Sequence, residues 1–348
     1  MHSIICCGYL LLDAIIGSKA DNVSFHAGGS SGNVSAVLAS LGWRTAVAAT
    51  LGNDKAGEYI RADLRSCGVS EDLLFTSESV QTPCVLQRNF LSNGALQTKF
   101  SRVCQQCGSM LPRVEADSLR QPLRAARILP PPGVFYVDFD SVETAEIARW
   151  FADQGTLVVF DGIRCNNPKT FTSLTATAHL VKYSDEWVPE SEIRNRARLE
   201  IWTRGRSGVM WRRQGQDWHK QALAHPARNG DAVGSGDWLI SGLLDTLARS
   251  SSGLLEGIHS DSLLVQALNQ GQKLASANCG SLGARGAMYH ELDASSPEST
   301  SQPENLETGK HFGIDVAIPR QVRENLRLVC PQCAAKSSAI CPRESKEL

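Results

Sequence analysis

Four short apolar runs limit what this chain can become: GVFYVDF (133–139), TLVVFD (156–161), AHLVKY (178–183) and LEIWT (199–203). Each is short for a helix and almost continuously apolar, as expected of a strand covered on both faces. Further strand-like runs lie at residues 3–7 and at TAVAAT (45–50). Helical patterns separate them. Val34, Val37, Leu38 and Leu41 are spaced i, i+3, i+4, i+7 within a helix expected over 32–41, and AGEYIRADLRSCG (56–68) reads as a helix closed by Gly68. Strand alternating with helix predicts an α/β fold around a mainly parallel sheet.

Composition narrows the partners. The 348 residues carry a net charge of −1, so neither nucleic acid nor an anionic membrane is expected as a partner. No apolar run approaches the ~20 residues that span a bilayer. The opening IICCGYLLLDAII (4–16) lacks a basic leader and is interrupted by Asp13, so it reads as a buried first strand rather than a signal peptide. Eleven cysteines, some inside apolar runs (Cys6, Cys7), fit reduced thiols in a cytoplasmic protein better than a disulfide framework.

Two stretches break the pattern. CVLQRNFLSNGALQTKF (84–100) has extended runs on either side of Asn93-Gly94, a strong hairpin signal, and is expected to project from the main sheet. Residues 291–310 are poor in apolar side chains and rich in Ser, Glu and Pro, as in a flexible linker, which leaves 311–348 as a C-terminal tail.

The polar chemistry concentrates in two glycine turns. DAVGSGDWLISGLL (231–244) sets Gly234, Ser235, Gly236 and Asp237 before an apolar helix. One reading is a tight turn with Asp237 complementing the helix dipole. The other is an anion cradle of backbone N–H groups, in which Asp237 takes a proton from a hydroxyl that attacks a phosphoryl group. AGGSSGNVSAVLASLG (27–42) is neither the G-x-G-x-x-G fingerprint nor a Walker A loop. Its small residues suit either close helix–sheet packing or close approach of a polar ligand, with Asn33 offering both donor and acceptor.

GGSSGNVSAVLASLG, followed by LGNDKAGEYIRADLRSCGV, resembles the N-terminal signature of the ribokinase-like (PfkB-type) carbohydrate kinases, and DAVGSGDWLISG resembles their C-terminal one. VVFDGIR, LVKYSDEW and WTRGRSGV fall between them in the family's order, so the resemblance spans about residues 3–290. It implies a three-layer α/β/α sandwich with a small β lid near 83–100, and ATP- and magnesium-dependent transfer of a γ-phosphoryl group to a sugar hydroxyl. Asp237 would be the base and Gly234, Ser235 and Gly236 the anion hole. Asp13, at the end of the first strand, would bind sugar hydroxyls with Gly29 and Asn33, and Arg164 would contact substrate or phosphate. Thr203, Gly205 and Gly208 match the nucleotide loop. Asp231 would sit beside a monovalent cation such as K+. A homodimer through the lid is a further implication. The family's Asn-x-x-Glu magnesium motif is Ser184-Asp185-Glu186-Trp187 here, which leaves Glu186 or Asp185 to substitute. A nucleoside kinase of the same fold and a catalytically weakened sugar- or nucleotide-binding protein remain the alternatives.

Two C-x-x-C pairs stand outside this scheme: Cys104/Cys107, in an insert over 101–113, and Cys330/Cys333 in the tail. Such pairs are zinc half-sites by spacing. Four thiolates on one Zn2+ would tie the tail to the lid, with Cys341 as a spare ligand. Two unrelated pairs, or one pair with other ligands, are the alternatives. His26, His179 and His219 read as ordinary surface or packed residues, and Trp202, Trp211 and Trp218 as strand packing.

Overall fold

The computed structural model describes residues 2–16, 23–92, 95–163, 165–223, 230–250, 253–293, 327 and 329–338. Strand β1 (Ser3–Cys7) is followed by β2 (Leu11–Ile16), β3 (Val23–Gly28), helix α1 (Ser30–Ser40), β4 (Arg44–Gly52), α2 (Lys55–Ser66), β5 (Leu74–Ser77), β6 (Cys84–Ser92) and β7 (Ala95–Ser101). Then come α3 (Arg120–Ala126), β8 (Val134–Val137), α4 (Val142–Asp153), β9 (Leu157–Asp161), α5 (Pro168–Thr177), β10 (Leu180–Ser184), β11 (Leu199–Thr203), β12 (Val209–Arg213) and β13 (His219–Gln221). Helices α6 (Ser235–Arg249), α7 (Gly253–Gly257), α8 (Asp261–Asn278), α9 (Gly286–Asp293) and α10 (Pro331–Ser338) close the order.

Nine strands form one sheet in the order β13-β12-β11-β10-β9-β8-β1-β4-β5. Only the β11–β12 and β12–β13 pairs of this sheet are antiparallel. Successive strand side chains point to opposite faces, so Ile4 and Cys6 enter one core while Ile5 and Cys7 enter the other. Helices α1, α6 and α8 cover the first face and α3, α4 and α5 the second. This is the three-layer sandwich that the apolar runs require.

The second sheet, β3-β2-β6-β7, is the lid. It corrects two expectations. The opening apolar run is two strands in two sheets, broken at Gly8. There φ is +136°, and a Cβ would lie 1.8 Å from the Asp138 carboxylate. Asp13 therefore sits in the middle of β2, opposite His26 of β3 and Val85 of β6, and not at the end of the first strand. The 84–101 hairpin pairs with β2 and stands outside the main sheet, as expected of the lid. The alternate lid residues Leu12, Ala14, Leu86 and Ile16 join the first core, which anchors one face of the lid to the body.

Helix α1 begins two residues before the expected 32, and α2 matches its expected span closely. The Asn93-Gly94 turn, most of the 291–310 stretch, Arg164 and Cys341 lie outside the described residues.

Candidate active site

The two glycine signatures meet in space. Asn33 Nδ2 donates to Asp237 Oδ2 at 2.8 Å across 204 residues of sequence. Local geometry explains the glycines. Gly29 caps α1 at φ +76°, where a Cβ would strike the Tyr9 carbonyl. Gly234 starts α6 in the left-handed region, φ +75°, where a Cβ would lie 2.5 Å from the Ala284 carbonyl oxygen. A Cβ on Gly236 would lie 2.8 Å from Lys182 Nζ. No side chain caps α6, so its N-terminus presents backbone dipoles and Asp237 in the first turn. Within the expected anion hole, the Ser235 N–H turns back to Ala232 O at 3.1 Å in this conformation.

Asp237 is 5% exposed. Burial pushes its carboxyl up from the ordinary range. Lys182 and the hydrogen bonds from Asn33 and Ser30 oppose that, and Asp161 adds to it. A buried carboxylate with a raised pKa is a better proton acceptor than one in water. Lys182 is itself buried and bonds Asp161 at 2.5 Å, while the Tyr136 hydroxyl donates to the same carboxylate at 2.9 Å. Asp138 accepts from Tyr9 N, Ser31 N and Ser31 Oγ, fixing the elbow after β1 to the start of α1.

Asp13 faces a small cavity shared with His26, Asn33, Arg285 and Tyr289. Gly28 makes room for it, since a Cβ there would lie 2.0 Å from its carboxylate. Burial raises the Asp13 carboxyl to about 7. Arg285 opposes the rise, and Asp237 and Asp63 reinforce it. Arg285 is anchored by Asp63 and the Ala27 carbonyl. Asn33 Oδ1 and Gln87 Oε1 are buried acceptors without a protein partner, an arrangement that suits a ligand supplying hydroxyl protons.

Asp231 is filled by donors. It accepts from Gln87 Nε2 (3.1 Å), Asn89 Nδ2 (3.3 Å) and Thr98 Oγ1 (3.2 Å) of the lid, and from Val233 N and Gly283 N. Thr203 ends β11, and Gly205 and Gly208 shape the tight turn into β12 with φ of +48° and +88°. Asp185 N donates to Thr203 O, so the Ser184–Trp187 stretch flanks that turn, with Glu186 exposed at the strand end.

Sequence reasoning passed over Lys182 and Asp161, and over Gln87, Asn89 and Thr98. The available signal was a single charge inside AHLVKY and polar residues alternating along VLQRNF. His179 is packed as expected, its Nδ1 accepting from Val158 N, and burial lowers its pKa to about 4. His219 stacks on Trp211, and Trp202 lies against Trp218. His26 packs on Tyr289, ring centroids 4.4 Å apart, at the edge of the cavity.

The arrangement of the two sheets and their covering helices is shared with solved kinases. A fructokinase variant from Vibrio cholerae O395, bound to fructose, ADP and potassium, matches with TM-score 0.64 and 18% identity over 84% of this chain and 98% of that one. The fold is ribokinase-like. A Burkholderia thailandensis nucleoside kinase with inosine matches this ribokinase-like fold at TM-score 0.61 and 18% identity, over 84% of this chain and 96% of that one. Salmonella enterica aminoimidazole riboside kinase matches at 0.58 and 19%, over 84% and 99%. Residues 1–87 match the family model described as pfkB family carbohydrate kinase. A search of curated proteins gives no match.

Proposed function

We propose that the protein transfers the γ-phosphoryl group of ATP to a hydroxyl of a sugar or a sugar-bearing nucleoside. The observation that carries this reading is the Asn33–Asp237 hydrogen bond, which joins the two signatures into one buried site. Asp13 and the unpartnered acceptors of Asn33 and Gln87 would take protons donated by substrate hydroxyls. Asp237 would receive the proton of the attacking hydroxyl as its oxygen bonds to phosphorus and ADP leaves. The N-terminus of α6, around Gly234, Ser235 and Gly236, would face the transferring phosphoryl charge, with Lys182 adding a fixed positive charge behind Gly236. The turn at Thr203, Gly205 and Gly208 would hold the nucleotide, and Arg164 would contact substrate or phosphate.

Magnesium suits a site of few carboxylates plus phosphate oxygens and water. Glu186, exposed beside the nucleotide turn, would meet it through water, and the ion would neutralise phosphate charge. Asp231 in this conformation is occupied by N–H and O–H donors, so K+ would lie beside its loop and not on the carboxylate. A cytoplasmic setting and a lid-mediated homodimer belong to the same proposal. Among the described residues no helix is long and apolar enough to cross a membrane.

Fructose-like ketoses and pentoses are the first substrates to assay, and nucleosides the second, given the neighbours that bind inosine and aminoimidazole riboside. ADP release measured over such a panel tests the reading. Asp237→Asn should lower turnover of the best acceptor at least ~10²-fold, as expected on loss of a general base, with ATP affinity retained. Turnover that survives the substitution would refute the role of Asp237. No ADP release with any acceptor would favour a binding protein.

A further inference from the structure

The two C-x-x-C pairs, 226 residues apart in sequence, converge at the root of the lid. We propose that Cys104, Cys107, Cys330 and Cys333 form a tetrathiolate site for one zinc ion, which staples the C-terminal segment to the point where the lid hairpin leaves the body. The inference does not depend on the kinase reading.

The geometry suits an ion better than sulfur–sulfur bonding. All four sulfurs lie within 4.8 Å of one another. The cross-pair separations are 3.7 Å for Cys107–Cys330 and 3.9 Å for Cys104–Cys333. A tetrahedron with Zn–S bonds of about 2.3 Å has edges of about 3.8 Å. A disulfide needs about 2.05 Å. Four neutral thiols packed together would offer one another only weak hydrogen bonds.

Both pairs are set in tight turns. Cys107 Sγ lies 3.3 Å from Ser109 Oγ. The first pair is held in a closed turn by Gly108 N to Cys104 O and Cys104 N to Ser109 O, with Gly108 at φ +73°. In the second pair Cys333 N donates to Cys330 O. Cys104, Cys330 and Cys333 are buried, so oxygen ligands from solvent have little access and the coordination shell closes with four thiolates. A closed shell of this kind is structural.

The position decides what the ion would hold. Cys104 follows β7 by three residues. Cys84, the first residue of β6, donates its amide to Pro112 O, and its thiol reaches Val329 O at 3.7 Å. Val329, Cys330 and Cys333 pack into the same core as the lid residues Leu12 and Leu86. On binding, the four thiols lose their protons to solvent and the ion takes the four sulfur lone pairs. Affinity therefore falls as pH drops.

Metal analysis of the full chain, purified reduced and without chelator, should give about one zinc per chain. Exchange for Co2+ should produce the intense thiolate-to-cobalt charge-transfer band and the visible bands of a tetrahedral ion. Cys104→Ser and Cys333→Ser should each lose the metal, while Cys165→Ser, at an exposed cysteine outside the cluster, keeps it. Metal loss should expose the tail to limited proteolysis while the far-UV circular dichroism of the main sheet persists, which separates loss of the staple from failure to fold. Less than one zinc per five chains that fails to rise on titration with Zn2+ would overturn the proposal. So would octahedral cobalt spectra, or retention of full metal in both serine variants.

Discussion

In the proposed site, Asp13 would tie recognition to stability. Its carboxyl is raised from 3.8 to about 7, chiefly by burial. Between those values the folded protein binds more protons than the unfolded chain, so this group makes the fold less stable as pH rises through the window. The penalty is fully present above pH ~7, where the residue is ionised and able to accept hydrogen bonds. Acceptor affinity should therefore strengthen from pH 6 to 8 while the melting temperature of the ligand-free protein drifts the opposite way, apart from other titrating groups. Asp13→Asn keeps the shape without the charge. It should raise the melting temperature at pH 8 by a few degrees and flatten this pH dependence, yet weaken acceptor binding by at least ~10-fold with ATP binding intact. Calorimetry with each ligand at pH 6 and 8 measures both effects. A variant that binds acceptor normally would remove Asp13 from the site.

At the scale of elements, the start of α6 joins the loop before it to α9 through Gly234 and Ala284. Gly234→Ala must place a Cβ 2.5 Å from the Ala284 carbonyl at a φ of +75°. Left-handed strain alone costs about 1 kcal/mol or more, and the carbonyl clash adds to it. The expected result is a lower melting temperature with a larger proportional loss in kcat than in ATP affinity, because the displaced helix start carries Asp237. Equal losses would mean global destabilisation only. Gly236→Ala meets the end of a lysine side chain instead, so it should perturb Lys182 first and stability less.

The elements were unequally legible in the sequence. Strands β8 to β11 could be read because burial on both faces leaves an apolar run with little interruption. Strands β12 and β13 escaped notice because Arg212, Arg213, His219 and Lys220 break that pattern on an outer edge. The division of residues 4–16 between two sheets depends on Gly8 yielding space to Asp138, a contact 130 residues away that no local pattern reports. Asp237, Asn33 and the glycines were visible because their chemistry is local to a turn. Lys182 was hidden because its partner, Asp161, lies on the neighbouring strand.

For the whole molecule, Asp231 is one point where the lid grips the body. Thr98 Oγ1 bridges Asn89 Oδ1 at 3.0 Å and Asp231 Oδ1 at 3.2 Å. Thr98→Val preserves shape and removes that link, for a loss of roughly 1–3 kcal/mol. The KM for the acceptor should rise by ~5- to 100-fold with the KM for ATP nearly unchanged, as steady-state kinetics with each substrate varied will show. A matching rise in both would mean that the contact supports the whole fold and not the lid alone.

The first hundred residues hold the lid together with part of the body, since α1, β4, α2 and β5 lie between β3 and β6. The four lid strands all lie between residues 11 and 101, whereas Lys182, the nucleotide turn and Asp237 come from residues 182 to 237. Under the proposed function, acceptor recognition would draw on the first stretch and phosphoryl transfer on the second, with Asn33–Asp237 and the lid contacts to Asp231 among the links between them. Exchange of the first hundred or so residues with those of another protein of this fold would transplant a preference for acceptor and leave the phosphoryl-transfer apparatus in place. Heredity could therefore revise the substrate by recombination at one breakpoint, as long as the incoming lid root still offered Cys104 and Cys107 to the tail.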